Sequence, residues 1–122
     1  MATDSITLSG EDEAAEDEDL FDMANLSPAL TGLPMVVWVS EHSGARHDVR
    51  IRVSAVHGVN IRFGQWAIVA VRPSPRLVHG RLSPSDFAAV SGWIRLNEAA
   101  IVEYWNSQLL IDELIQQLQR LR

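Results

Sequence analysis

From residue 35 onward the chain alternates between short apolar runs and turn signals, and the period of each run indicates the element it predicts. Met35 to Val39 reads Met-Val-Val-Trp-Val, β-branched and aromatic and bounded by turn residues, which predicts a well-buried strand. Glu41 to Arg46 is a polar turn. Val49, Ile51 and Val53 then alternate with Asp48, Arg50 and Arg52, the period-two pattern of a half-exposed antiparallel strand, so the two runs predict a hairpin. A weaker extended piece, Asn60 to Phe63, leads through Gly64 to Trp66–Val71, the strongest strand candidate in the chain. Pro73 and Pro75 end that run, because proline donates nothing to a ladder, and Leu77 to Gly80 predicts a short edge strand.

The period changes after Ser83-Pro84, a serine cap with proline in the first helical position and Asp86 in the first turn. Phe87, Val90, Ile94, Ile101 and Trp105 recur at three- and four-residue multiples, predicting one long helix to about Trp105 with Gly92 and Asn97 as candidate kink points. Asn106-Ser107 breaks it. Leu110, Leu114, Leu118 and Leu121, with Ile111 and Ile115, then stripe a short terminal helix whose basic end, Arg120 and Arg122, complements the helix dipole. Strands first and helices second predict an α+β fold: a small antiparallel β-sheet of three to four strands packed by a long C-terminal helix and a short terminal helix. Trp38, Trp66 and Trp105 are expected in the core, with Trp93 next.

Charge adds a second feature. The first 27 residues hold nine acidic side chains and no basic one, whereas residues 28–122 hold ten arginines against seven acids. A net charge of −9 is thus joined to a body of about +3, giving the −6 of the whole chain. The acidic run cannot bury enough apolar area to offset chain entropy, so residues 1–32 are expected to form an acidic, largely disordered arm and residues 33–122 a single domain. Within the arm, Leu20 to Leu26 is a short apolar cluster in an acidic setting. It suits either a helix that orders in a partner's groove or a cap on the domain's own core.

The C-terminal half reads Leu82-Ser83-Pro84, then Trp93-Ile94-Arg95-Leu96-Asn97, then Tyr104-Trp105-Asn106 and a closing Glu113-Leu114-Ile115 with Leu118. Over roughly residues 33–121 this resembles a group of small bacterial proteins of unknown function in which strands precede a helix reading W-I-x-L-N…Y-W-N, some encoded near toxin–antitoxin genes. The resemblance implies a bacterial source and the α+β layout, and no activity. Relatives in that group often carry a Ser or Thr cap before the last helix, where this chain has Ser107 and then Ile111.

Candidate chemistry narrows the function classes. The chain has no cysteine, which removes disulfides, thiolate catalysis and cysteine-based zinc sites. His42, His47, His57 and His79 show no metal-ligand spacing, no serine sits in a nucleophile-elbow context, and the seven glycines form no phosphate loop. No cofactor and no catalytic residue is expected. No signal peptide or ~20-residue apolar span is present, so a cytoplasmic protein without membrane contact is expected. All ten basic residues are arginine. Arg46, Arg50, Arg52 and Arg62, with Arg72, Arg76 and Arg81 nearby, form a candidate anion-binding region, although no aromatic pair is seen interleaved with them in sequence. The candidate binding residues are Arg46, Arg50, Arg52 and Arg62 on the body and Leu20, Phe21, Met23 and Leu26 on the arm. The reading is a non-catalytic protein-interaction or regulatory module, monomeric or homodimeric. The alternatives are a nucleic-acid-binding domain using an Arg-rich sheet face modulated by the acidic arm, and a small enzyme of unrecognised type.

Overall fold

Turn chemistry and β-branched runs place the strands, and proline and serine place the helices. The computed structural model describes residues 23–62 and 64–122. In chain order the elements are β1 (Ala24–Leu26), α1 (Pro28–Thr31), β2 (Met35–Val39), β3 (Arg50–His57), β4 (Trp66–Ala70), β5 (Arg76–His79), α2 (Pro84–Trp105) and α3 (Ile111–Gln117). The strands form one antiparallel sheet in the order β1-β2-β3-β4-β5, each hydrogen-bonded to its sequence neighbours. The fold is α+β as expected, with five strands where three to four were expected.

The extra strand is β1. Ala24 pairs with Val39 and Leu26 with Val37, so the segment expected to be a groove-seeking helix or a core cap is, over Ala24–Leu26, an edge strand. Leu26 is fully buried in the core rather than presented to a partner. Three residues are too short to show a period, and only the ladder offered by β2 makes them a strand. The fold therefore takes in chain before the boundary expected at residue 33. Ser27 caps the single turn α1, accepting from the Leu30 N–H, and Gly32 closes it in a left-handed conformation. Leu20 and Phe21, and the acidic run before them, lie outside the described residues. The Asn60–Arg62 piece is not a strand but part of the loop from β3 to β4, and Phe63 lies outside the described residues.

Alternation gives the sheet two distinct faces. On the first, Met35, Val37, Val39, Val49, Ile51, Val53, Val69 and Val71 join Val90, Trp93, Ile94, Ile101, Tyr104 and Trp105 of α2 and Leu114 of α3 in one cluster. α2 runs unbroken for 22 residues, started by the Ser83 side chain accepting from the Asp86 N–H with Pro84 behind it. Gly92 does not kink it. A Cβ built there would stand 3.6 Å from Leu121 Cδ1, an ordinary contact, so Gly92 packs beside the C-terminal tail without being required by it. Trp93, ranked behind the other tryptophans from sequence, is among the largest fully buried side chains.

The C-terminus departs from the expected helix. α3 ends at Gln117; Leu118 takes an extended conformation and the residues after it are not helical. Asn97, fully enclosed in α2, holds this tail. Its Nδ2 donates to the carbonyls of Trp93 and Gln119 (3.0 Å each), and its Oδ1 accepts from the Gln119 N–H at 2.7 Å. Two residues on, the Leu121 N–H donates to the Thr31 carbonyl at 2.7 Å. Arg120, expected at a helix end, instead donates from Nε to the Ala29 carbonyl at 3.1 Å. Gly32 at φ 82° lies so close to the Leu121 carbonyl that a side chain there would collide with it, so glycine is required twice over. α3 itself begins with the Glu113 carboxylate accepting from the Leu110 N–H at 2.8 Å, half of a capping box, and Ser107 is not its cap.

Two consequences are measurable. Replacing Asn97 with Ala should cost about 2 kcal/mol by leaving the Gln119 backbone groups unsatisfied, and should remove hydrogen-exchange protection at Gln119 and Leu121. Unchanged protection there would mean that the leucines alone hold the tail. The Ser91 hydroxyl is buried in α2 with no hydrogen-bond partner among the described residues. Ser91→Ala should therefore stabilise the protein, by about 1 kcal/mol, read as a raised midpoint in urea, and a lowered midpoint would show that the hydroxyl is bonded.

Candidate functional site

The second face of the sheet carries the unusual chemistry. Register places Asn25, Trp38, Arg52, Ile68 and His79 in one row across all five strands. Arg50, Ala70 and Arg76 form the next row, and Ser54 stands opposite Trp66. Sequence alternation had marked Arg50 and Arg52 as a solvated face. Instead Arg52 is 3 % exposed and Arg50 half-buried. The Arg52 guanidinium lies 5.1 Å from the centre of the Trp66 ring, within cation–π range, and Trp38 pairs with Arg52 across β2 and β3. Aromatics are thus interleaved with the arginines after all. The linear sequence conceals this, because Arg52 and Trp66 stand 14 positions apart and only the β3–β4 pairing joins them.

Trp38 and Ile68 are 3 % and 2 % exposed, yet neither they nor Val36, Trp66 or Ala70 belong to the cluster that the helices complete. Trp38 and Trp66, expected in the same core as Trp105, lie on the opposite side of the sheet from it. The result is a permanently charged group set in an apolar and aromatic frame. A guanidinium in such surroundings favours a carboxylate or phosphate held bidentately, because its charge cannot be shed and the low polarity of the frame strengthens the pairing.

At the end of this face where β3 begins, a cleft of about 150 Å³ is lined by Met23, His42, His47, Arg50, Arg52 and Trp105 among others. The hairpin turn is fixed over the end of α2: the His42 N–H donates to the Trp105 carbonyl at 2.9 Å. The His42 ring meets the Trp105 indole edge-on at 5.1 Å, and His47 lies tilted at 5.6 Å. His42 Nδ1 accepts from the Gly44 N–H, and His47 Nδ1 donates to the Asp48 carbonyl, so both histidines act as turn-building groups. Beneath them the Tyr104 phenol is held above its usual pKa, first by burial and then by the Glu41 carboxylate. His57 bonds both carboxylate oxygens of Asp86 (3.0 and 2.9 Å), tying the end of β3 to the first turn of α2. Among the described residues no three histidine, cysteine or acidic side chains are placed to share a metal ion.

The other candidate residues are dispersed. Arg46 is exposed in the hairpin turn and Arg62 in the β3–β4 loop, away from the row containing Arg52. Met23 lines the cleft, and Leu26 is core. Arg72 leaves the anion-binding set altogether, since its Nε and Nη2 donate to the two oxygens of Asp48 at 2.8 Å each. Among the described residues, no helix is long and apolar enough to cross a membrane. Comparisons with family models, curated proteins and solved structures found no match to this chain.

The Asp48 carboxyl is drawn down to about 2, chiefly by the Arg72 hydrogen bonds and next by the Val49 backbone N–H. A depressed carboxyl adds stability above the ordinary aspartate range and loses that contribution as pH falls through about 2. Both partners are well exposed, so the contribution is small. The carbon chemical shift of the Asp48 carboxyl should titrate near 2 in the native chain and return toward the ordinary range in Arg72→Ala. An Asp48 midpoint unaffected by that substitution would show that backbone bonding alone sets it.

Proposed function

We propose that the protein is a non-catalytic interaction module whose second sheet face binds an acidic peptide segment containing apolar residues. The observation that carries this reading is the positive row on the face that the helices do not complete: half-buried Arg50 and exposed Arg76 flank Ala70, beside the buried Arg52 that Trp38, Trp66 and Ile68 frame. Such a row suits acidic side chains separated by apolar residues. A single-stranded nucleic acid is the competing occupant, since arginine beside tryptophan also suits a phosphate next to a stacked base. Bases stack on ring faces open to solvent, and here the rings are enclosed.

The test is a titration of the full chain with a synthetic acidic peptide carrying one aromatic residue, and separately with a single-stranded oligothymidine. It is followed by the indole N–H signals of the four tryptophans. The expected result is peptide-dependent shifts at Trp38 and Trp66 with Trp93 unmoved, and about a tenfold loss of affinity in Arg50→Ala, the effect of one charge-assisted bond. Tighter binding of the oligonucleotide than of the peptide, with a steep salt dependence, would replace this reading with the nucleic-acid one.

A further inference from the structure

The sheet ends in a strand whose outer side is open. β5 is exposed at all four positions, Arg76 to His79, and among the described residues it pairs on one side alone, with β4. Alternate backbone N–H and C=O groups of a strand point to either side of it, so the outer set of β5 faces solvent. We infer that this edge is a second binding surface, which takes an extended acidic segment of another protein as a sixth strand. The segment would supply backbone hydrogen bonds to β5 and carboxylates to Arg76 and Arg81. This surface shares with the face reading only the acidic character of the partner.

Three observations set the chemistry of the occupant. The first is charge. Residues 72–82 read Arg-Pro-Ser-Pro-Arg-Leu-Val-His-Gly-Arg-Leu, with three arginines and no acid. Arg72 is taken by Asp48, whereas Arg76 and Arg81 are exposed and form no ion pair among the described residues. An acidic strand laid alongside meets both, and the opposite charges steer its approach. The second is apolar exposure between those arginines: Leu77 and Val78 are 39 % and 44 % exposed. Covering them favours a strand with apolar residues between its acids.

The third is the shape of the edge. Ile68 pairs with His79 and Val69 with Leu77, so β5 has one more residue than β4 between these pairs, and Val78 is the bulged one. A bulge bends and twists an edge and shortens the run that a neighbour can match, one of the ways in which sheets discourage pairing with their own copies. Charge acts in the same direction, because a second copy laid along β5 would set two arginine-bearing, acid-free segments side by side. The occupant is therefore a foreign segment, short and of opposite sign. Single-stranded nucleic acid is also drawn by arginine, but it takes its further hold from aromatic rings open to solvent. Residues 72–82 hold no aromatic ring except the His79 imidazole. Backbone pairing is the hold that this edge provides.

The test uses the full chain and a blocked peptide reading Glu-Asp-Val-Thr-Val-Asp-Glu, followed by the backbone amide signals and their hydrogen exchange. The expected result is shifted signals and slowed exchange at the β5 amides, nuclear Overhauser contacts from the peptide to Leu77 or Val78, and no change at the Trp38 indole. Two further versions of the peptide carry N-methyl groups on alternate residues, in the two possible phases. A strand offers one phase of its N–H groups to its neighbour, so one version should bind about tenfold more weakly than the other although their charges are identical. Arg76→Gln should weaken the unmodified peptide about tenfold, the effect of one charge-assisted bond, and the difference should shrink at high salt. Equal affinity of the two methylated versions would overturn the proposal. If the shifts in that case centre on the Trp38 indole, the peptide lies on the face, and the face reading stands while the edge fails. Self-association of the chain without peptide, with slowed exchange at β5, would overturn the proposal too, because the occupant is then a second copy. Absence of binding by the unmodified peptide would sink the edge proposal and leave the face reading to its own aromatic peptide.

Discussion

A sheet whose central strands are buried on both sides needs cover on both sides, and the C-terminal helices of this chain supply it on one. β2 and β4 are buried at every position, and β3 from Ile51 to Ser54. The helices complete the side of Met35, Val37, Ile51, Val53 and Val69, where Trp93 and Ile94 fill the space above the sheet. The opposite side must be closed by other means, and it carries a buried arginine where a purely structural layer would carry an aliphatic residue. A charge in that position costs desolvation unless it is paired. Its presence in an otherwise apolar frame, 5.1 Å from the centre of the Trp66 ring, is what sets this side of the sheet apart from the helical side.

The helical layer has its own dependence on a few polar bonds. α2 is long enough to cover the sheet, and α3 is short, with Leu110, Ile111 and Ile115 exposed and Leu114 as its buried anchor. The non-helical tail beyond it is held between α2 and α1 by backbone bonds to Asn97 and Thr31. Through α1 this contact reaches β1, which is the strand next to the arm. The C-terminal residues and the N-terminal edge of the sheet are thus parts of one packed unit. Trp93 and Asn97, two residues of the W-I-x-L-N string, serve the core and the tail clamp, whereas Leu96 remains exposed.

Charge is used in two different ways in and around β3. Asp48 and Arg72 form a bidentate pair in solvent, with little energetic weight but a defined geometry at the start of β3. Arg52, four residues on, sits among tryptophans where water is excluded. The two arginines share a residue type and differ in environment: one is a surface tie to a carboxylate, and the other is buried against an indole.

The elements with a clear period were legible in the sequence. Met35–Val39 needed only its β-branched run, α2 needed its three-and-four spacing with the Ser83-Pro84 start, and both appear with the expected bounds. Elements without a period were not legible: Ala24–Leu26 is three residues long and becomes a strand only through the ladder of β2, and the leucines after Gln117 keep a helical spacing but are held in a non-helical tail by Asn97 and Thr31. The candidate site divides the same way. Alternation along β3 correctly separated Val49, Ile51 and Val53 from Arg50 and Arg52, because successive side chains on a strand must point to opposite faces. It gave no information on what lies above the second face or which residues of β2 and β4 stand beside the arginines. Those are properties of strand order and register, which bring Trp38, Trp66 and Ile68 around Arg52 from distant parts of the chain. Local sequence thus determined the elements and the two-sidedness of the sheet, and tertiary pairing alone decided that its charged side is enclosed.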